Sequence, residues 1–412
     1  MEQTKESKDD SRDSFADETK RRLRELSDFM ARWHDLPAQR SPQWHSDRTF
    51  SIGASEIATL LEKLMGKKIN PYETIRTLVM GKVGLKKFKD KTAMNLGCVL
   101  ERVVTMLAEI IFDCHIEEMG SIPTARMRHQ RSSPDGVAVV PCLGNKIVSF
   151  EFKAPKNRIP RGTVPAYYRP QVLTCLCAVE PSDLGIFIDC AIRRCSVEDW
   201  RFDSTSYDYM YHKDVDFGEP LALSLLYFYD SLAPSEAQTA PVVAAVVAPV
   251  IAPVVAAEEK KVEDVTTGLE NLTIHLDTAI ETVTNQKEWS VDDVINLGTC
   301  SPMIYDDTIA RVCDHTMRVE YHKIIVPANG QPDFKAEVGK RPGCVAVLPI
   351  KIMRCVVCPV KKDPEYILQF QSLIDEIIAV VHIIMDVPEA DRPMVLAREC
   401  DAHGWTDMPY EH

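Results

Sequence analysis

Residues that can do phosphate chemistry cluster in the stretch from Ser133 to Lys153: Asp135 within Ser-Pro-Asp-Gly, then Glu151 and Lys153 within Glu-Phe-Lys. The runs Gly136 to Pro141 and Lys146 to Lys153 are rich in Val, Ile and Phe, and Cys142, Leu143, Gly144 and Asn145 between them carry turn chemistry, so the stretch predicts a β-hairpin. With Cys142 facing Asn145 across the turn, Asp135 falls beside Glu151 and Phe152, roughly 5 Å away, one strand spacing. Alternation puts Ser149, Glu151 and Lys153 on one face and Val148, Phe150 and Phe152 on the other, buried one. Two unpaired carboxylates at that distance repel and raise one another's pKa, so a divalent cation between them is the reasonable arrangement. Oxygen ligands suit Mg²⁺ or Mn²⁺, and Mg²⁺ takes one or two carboxylates while keeping waters and substrate phosphate oxygens. A metal-activated water, with Lys153 orienting it or balancing phosphate charge, is the chemistry of phosphodiester hydrolysis. The rival reading is an ordinary surface hairpin whose Glu and Lys happen to alternate, which an isolated Glu-x-Lys would favour.

Company for that signal comes from three further motifs: Ile52-Gly53-Ala54-Ser55-Glu56-Ile57, Gly97-x-x-x-Glu101 and Tyr167-Tyr168-Arg169-Pro170-Gln171. In this order the four motifs resemble the PD-(D/E)xK nuclease superfamily, and more narrowly the YqaJ-type viral recombinases related to the phage lambda exonuclease, over roughly residues 44 to 230. The resemblance implies an α/β fold with a mixed central β-sheet flanked by helices, a restriction-endonuclease-like nuclease core. It implies Glu101, Asp135, Glu151, Lys153 and Gln171 as catalytic residues, with Asp135, Glu151 and the backbone carbonyl of Phe152 as metal ligands. It also implies Arg48 and Ser55 as the holders of a 5′-terminal phosphate. Tyr168 is divided between packing its helix and stacking on a base. Phe152 stands where the family usually has an aliphatic residue, which matters little for a carbonyl ligand. Pro170 directly before Gln171 is the larger departure.

The elements that must position these residues follow from pattern. Ser55 stands where an N-cap would open a helix through Ile57, Leu60, Leu61 and Leu64. Asn95 to Ile111 reads as a helix carrying Glu101 near its start, with Leu100, Val103, Val104, Leu107 and Ile111 on one face. Ala154 to Pro165 reads as a loop over the site, Tyr167 to Val179 as a helix with Gln171 on its polar side, Leu184 to Ile192 as a strand and Leu221 to Tyr229 as an apolar helix. Met1 to about Asp17 reads as a disordered tail, and Glu18 to Trp33 as an amphipathic helix whose basic cluster at Lys20–Arg24 is its solvated face. Ala240 to Ala257 contains only Ala, Val, Pro and Ile. It is just long enough to span a membrane, but Pro241, Pro249 and Pro253 favour a stiff linker, followed by an acidic insertion with one amphipathic piece at Leu269 to Ile280. Arg318 to Val326 and Cys344 to Val360 read as strands, Tyr366 to Met385 as a long apolar helix, and Val387 to His412 as a polar tail with solvent-exposed histidines. The expected organisation is therefore a tail and helix at 1–43, a nuclease core at 44–230, a linker and insertion at 231–288, a section at 289–390 that completes the nuclease fold, and a tail at 391–412.

A chain of 412 residues with 45% hydrophobic content can bury a substantial core. Its formal net charge of -13 argues against a polyanionic partner only until the charge is located. Between Pro123 and Gln171, Arg126, Arg128, Arg131, Lys146, Lys153, Lys156, Arg158, Arg161 and Arg169 face only Asp135 and Glu151, a basic surround to an acidic centre. Thirteen scattered cysteines and no N-terminal signal sequence point to free thiols in a reducing, intracellular compartment, either a host nucleus or a cytoplasmic viral replication site. The close pairs Cys355-x-x-Cys358 and Cys175-x-Cys177 sit in apolar runs, which favours packing over zinc.

These readings converge on a Mg²⁺-dependent DNA exonuclease of viral recombination or genome processing, acting from 5′-phosphorylated ends. DNA is the expected partner, with a single-strand annealing protein and a second copy of the chain as further candidates and no membrane. The alternatives are a catalytically inactive DNA-binding or scaffold protein on the same fold, and a membrane-anchored interaction protein using Ala240 to Ala257.

Overall fold

The computed structural model describes residues 3–36, 42–66, 68–86, 92–156, 158–207, 215–230, 302–339, 341 and 344–405. The Ala/Val/Pro linker, the acidic insertion with Leu269 to Ile280, and His412 lie outside the described residues. In chain order the elements are α1 (Gln3–Ala31), α2 (Pro42–Asp47), β1 (Ile52–Gly53), α3 (Ile57–Met65), α4 (Ile75–Lys82), α5 (Thr92–Phe112), β2 (Ile122–Pro123), β3 (Gln130–Ser132), β4 (Gly136–Val140), β5 (Lys146–Lys153), α6 (Arg169–Ala178), β6 (Leu184–Arg194) and β7 (Ala222–Asp230). They continue with α7 (Pro302–Cys313), β8 (Met317–Tyr321), α8 (Phe334–Val338), β9 (Cys344–Lys361), α9 (Pro364–Leu368), α10 (Gln371–Met385) and α11 (Arg392–His403). Two compact units divide the chain, one made of residues 1–93, 100–191 and 355–412 and the other of 94–99 and 192–354.

In the first unit the expected hairpin forms: β4 and β5 pair antiparallel with Gly136 opposite Phe150 and Val140 opposite Lys146. The register sits one residue from the assumed turn, which puts Asp135 in line with Glu151. The other edge of β5 pairs in parallel with β6, Glu151 opposite Phe187 and Lys153 opposite Asp189. Parallel neighbours require a crossover, and α6 supplies it. The result is a mixed sheet with helices on both faces. Phe150 packs its ring 5.6 Å from Phe112 of α5, while Val137, Val139 and Ile147 on the opposite face cluster with Leu26 and Phe29 of α1 and with Ala178 of α6.

That closure corrects one expectation. The face carrying Ser149 and Glu151 is not the open side of a hairpin, because Ser149 is 3% and Glu151 1% exposed. A βαβ crossover covers a strand on both sides, so β5 is buried through Phe152.

The ends of the chain also differ from the tails expected there. α1 begins at Gln3, with no Pro or Gly in its Lys-, Glu- and Asp-rich first turns to stop it. Arg22 in its basic cluster is buried rather than solvated, paired with Glu25 at 2.6 Å and in contact with Asp183. At the other end α11 is an amphipathic helix with Pro393 in its first turn, and Val395, Leu396 and Cys400 join the large apolar cluster built by α3, α4, α6 and α10. His403 stacks on Trp405 with ring centroids 4.8 Å apart, so it is half-buried rather than a solvent-facing tail residue. The long apolar helix expected at Tyr366 to Met385 is broken at Gln369–Phe370 into α9 and α10.

In the second unit β7 pairs antiparallel with β8 on one side and β9 on the other. This corrects the apolar helix expected at Leu221 to Tyr229. Eight of the nine β7 residues are buried, so both faces are apolar and the period that distinguishes strand from helix is lost. Lys351 in β9 is fully buried, its Nζ donating to the carbonyls of Ser204 at 2.7 Å and Ser206 at 2.8 Å.

Gly136 opens β4 where any side chain would collide with Cγ2 of Ile116 and touch the Phe152 ring at 3.7 Å. Overpacking of this kind costs about 1–3 kcal/mol. Gly136→Ala is therefore expected to lower the thermal unfolding midpoint by several degrees, and adding Ile116→Ala is expected to return part of the loss by removing the atom struck. A Gly136→Ala chain as stable as the wild type would show that Ile116 yields freely.

Candidate active site

Asp135 precedes β4 and turns its carboxylate across the hairpin, where Oδ2 accepts the Phe152 N–H at 2.7 Å. This bond fixes the acid against β5 without consuming its second oxygen. Glu151 projects from β5 beneath α6. Its Oε1 accepts from Lys153 Nζ and from Gln171 Nε2, and its Oε2 lies 3.9 Å from the Cys175 thiol. Lys153 Nζ stands 3.7 Å from Asp135 Oδ2, so one ammonium serves both carboxylates. Gln171 and Cys175 are one helical turn apart on the same face of α6, which is why both reach Glu151. Pro170 sits in the first turn of α6, where proline is tolerated, so the departure from the family pattern leaves Gln171 in place.

Burial is the largest influence on Glu151, followed by the Asp135 charge and, more weakly, Glu101. Together they push its carboxyl up to about 8 against the opposing pull of Lys153. Lys153 moves upward as well: burial alone would lower it, but Glu151 and then Asp135 hold the proton on its nitrogen. Glu101, near the middle of α5, thus acts on the centre by its charge. The Cys175 thiol is raised well above its ordinary value, by burial first and then by Glu151 and Asp135.

Tyr168 is packed on several sides. Its ring centroid lies 4.3 Å from that of Tyr167 and 5.7 Å from that of Phe187, with Lys153 Nζ 5.2 Å and the Arg158 guanidinium 5.5 Å away. The same guanidinium holds Asp189, which is fully buried on β6, through two hydrogen bonds, one of them 2.9 Å long. The loop expected from Ala154 to Pro165 is thereby tied to the sheet next to Lys153. Asp189 and Arg158 belong to none of the sequence motifs, although a lone acid inside the apolar run Leu184 to Ile192 is a readable signal of a paired buried charge. From sequence, Cys175 reads as packing alone.

The Arg48 region is built differently from expectation. Ser55 is exposed and caps nothing: a 3-10 turn at Ala54–Glu56 leads into α3, and Glu56 closes it by accepting the Gly53 N–H at 2.6 Å. Glu56 also pairs with Lys82 Nζ at 2.9 Å and with Arg48 at 3.6 Å, and the 4%-exposed Lys82 ammonium further donates to the carbonyls of Ser51 at 2.6 Å and Arg48 at 3.2 Å. Burial would raise the Glu56 pKa, but Lys82, Arg48 and the Gly53 N–H more than offset it, and the group is held below its ordinary range as a carboxylate. Gly53 lets the Arg48 guanidinium lie close against the turn, since a Cβ would stand 2.8 Å from its Cζ and displace it.

The order Arg48, Ile52–Ile57, Asp135, Glu151-x-Lys153 and Gln171, brought together in one unit, falls within a single known domain. Residues 43–179 match the YqaJ-like viral recombinase domain. Among individual proteins, this chain is similar to a protein of African swine fever virus. It is 26% identical to the version from a South African tick isolate over 205 residues, 43% of this chain and 57% of that protein, and 27% identical to the version from the Badajoz strain over 198 residues, 42% and 55% respectively. The match thus spans little more than half the length of these relatives. Among solved structures, the alkaline exonuclease LHK-Exo from Laribacter hongkongensis shares 18% identity over 36% of this chain and 73% of its own, with a TM-score of 0.29.

Removing Lys82 takes the ammonium from Glu56 and from the carbonyls of Arg48 and Ser51, a loss of about 3–5 kcal/mol for a broken buried pair. Lys82→Ala is expected to unfold well before the wild type at neutral pH. Because the folded-state pKa of Glu56 is lowered, its contribution is complete above the ordinary carboxylate range and disappears as the pH falls through the folded value. The stability gap between wild type and variant should therefore narrow in acid, and a gap independent of pH would place the loss elsewhere.

Proposed function

We propose that this chain is a divalent-metal-dependent DNA exonuclease, and that its YqaJ-like domain digests linear duplexes from 5′-phosphorylated ends. One observation carries the reading: Asp135, Glu151, Lys153 and Gln171 converge on one buried point at the hairpin. The donor set fits Mg²⁺ or Mn²⁺. Two carboxylates are hard oxygen ligands, and among the described residues no third His, Cys, Asp or Glu closes a cage around them, which suits an ion that keeps waters and substrate oxygens. The raised pKa of Glu151 fits as well, since two acids sharing one ammonium are short of one positive charge.

Asp135, Glu151 and the Phe152 carbonyl would hold the ion, which when bound lowers the pKa of a coordinated water and draws charge from the phosphate. The residues do the rest. The Phe152 N–H anchors Asp135, while Gln171 and Cys175 fix the rotamer of Glu151. Lys153 keeps its proton, so it acts as a charge and a hydrogen-bond donor toward the attacking oxygen or the developing phosphate charge. In the N-terminal turn, where two cations, Lys82 and Arg48, meet the single acid Glu56, the Arg48 guanidinium is the group proposed for a terminal phosphate, with the exposed Ser55 hydroxyl beside the turn. A catalytically inactive scaffold on the same fold would have no use for an assembled acid-lysine centre.

Asp135→Asn and Glu151→Gln are expected to abolish Mg²⁺-dependent digestion of end-labelled linear DNA while leaving DNA binding intact, because cations supply most of the affinity. Lys153→Ala should lower turnover by roughly 10² to 10³, as for loss of one electrostatic contact, with little change in affinity. Full cleavage by either acid variant would remove the site.

A terminal phosphate carries one charge more than an internal diester, and a guanidinium recognises it through paired charge-assisted hydrogen bonds. The wild type should therefore digest 5′-phosphate ends faster than 5′-hydroxyl ends, and Arg48→Ala should erase most of that ratio. Equal rates on both ends, or attack on circular DNA as fast as on linear, would turn the reading to an endonuclease.

A further inference from the structure

Three aromatic rings run in contact from the surface to the acid-lysine centre. Tyr72, in the turn between α3 and α4, is 71% exposed. Its ring meets that of Tyr167 edge-on, centroids 5.8 Å apart and planes at 82°. Tyr167 in turn lies 4.3 Å from Tyr168, whose ring stands 5.2 Å from Lys153 Nζ. The inner end of this row is already occupied, since Lys153, Arg158 and Phe187 surround Tyr168. Its outer end is open. An edge-to-face pair leaves ring faces unstacked, and Tyr72 keeps most of its surface in water.

The turn that carries this ring is also held in place. The Tyr72 N–H donates to Asn70 Oδ1 at 3.0 Å, and the buried Asn70 donates to Thr59 Oγ1 of α3 at 2.8 Å. On the far side of the turn Glu73 is fixed by Lys86 at 2.9 Å, and Thr74 caps α4. A large exposed aromatic ring contributes little to a core. On a turn whose backbone is fixed, and with one edge contact to Tyr167, it is held near the position a flat ligand would need, which lowers the cost of stacking.

Resting on the nuclease reading above, we propose that Tyr72 and Tyr167 form a stacking platform for the unpaired terminal base of the DNA strand that enters the acid-lysine centre. Stacking is indifferent to base identity, because every base offers a π-face, so the platform suits an enzyme that must accept each nucleotide in turn. It also shifts the role considered for Tyr168 outward, to the half-exposed Tyr167 and the exposed Tyr72. Tyr168 then supports the platform from beneath and keeps it in register with Lys153.

The test uses the full chain in EDTA, where binding proceeds without cleavage, and a 5′-phosphorylated duplex carrying 2-aminopurine as an unpaired 5′-terminal base. Wild-type chain is expected to quench the probe on binding. Tyr72→Ala should relieve the quenching and weaken binding about tenfold, within the range for one base stacked on an aromatic ring, whereas Tyr72→Phe should keep both. On a duplex whose terminal nucleotide is abasic, wild type and Tyr72→Ala should bind alike. An unchanged probe signal on binding, or an equal loss of affinity by Tyr72→Ala on abasic and normal ends, overturns the proposal. Cleavage with Mg²⁺ but without quenching removes only the platform. Ring-dependent quenching by a chain that fails to cleave supports the platform and removes only the nuclease reading.

Discussion

A carboxylate taken almost wholly out of water, beside a second carboxylate and with one ammonium between them, is the constraint on which the first unit depends. Glu151 is 1% exposed, and Lys153 reaches both it and Asp135. Burying a charge costs several kcal/mol unless it is paired and its lone pairs are met. The surrounding fold supplies those partners from several directions: the Phe152 N–H for Asp135, and Gln171 and Cys175 for Glu151. The βαβ crossover accomplishes this in one step, because the helix that joins β5 to β6 is the helix whose polar side faces the acid. Gly136 has its place in the same arrangement, since a side chain there would strike Ile116 and touch the ring of Phe152, whose N–H anchors Asp135.

The comparison of Glu56 with Glu151 shows why burial alone does not define a functional acid. Burial raises both pKa values, and the outcome is decided by the company each group keeps. Glu56 has Lys82, Arg48 and the Gly53 N–H, and falls below its ordinary value. Glu151 shares one lysine with Asp135, feels Glu101 as well, and rises. In the first cluster two cations meet one acid, so the carboxylate is fully paired. The second is one positive charge short, and a divalent cation between the acids would supply it.

What could be read from the sequence follows from how far each contact reaches along the chain. The β4–β5 hairpin is local, so Val, Ile and Phe runs around a Gly-Asn turn were enough to bring Asp135 to Glu151, with the register one residue off because the turn geometry was assumed. Gln171 was legible only through its motif. By contrast, Cys175 and the Arg158–Asp189 pair depend on how a crossover helix and a loop close over the sheet, which no local period reports. The same limit explains β7: with both faces buried, the apolar run from Ala222 to Tyr229 has no alternation to betray a strand, and only its pairing with β8 and β9 makes it one. Ser55 was assigned a cap because a serine before an apolar period usually is one. Glu56 stands at the head of α3 instead and makes no side-chain cap there; its longer side chain reaches back to the Gly53 N–H while also meeting Lys82.

Charge placement reconciles an acidic chain with a polyanionic substrate. The net charge of -13 is a property of the whole sequence, whereas a phosphate within a Debye length of the centre, about 10 Å in 0.1 M salt, feels its neighbours. Several of the cations around the hairpin are internally engaged: Arg158 holds Asp189, Arg128 pairs with Asp375 at 2.5 Å and Arg126 with Glu365 at 3.4 Å. Charges paired in this way hold parts of the fold together and contribute less to the local field. The exposed Arg161 and Arg169, which flank the tyrosine pair Tyr167–Tyr168 in sequence, are better placed to meet a backbone, while the proposed role of the rings between them is to meet bases. On the proposed nuclease reading, affinity would come from the rim and chemistry from a centre that is itself short of positive charge, so a strand would be drawn in by one set of residues and cut by another.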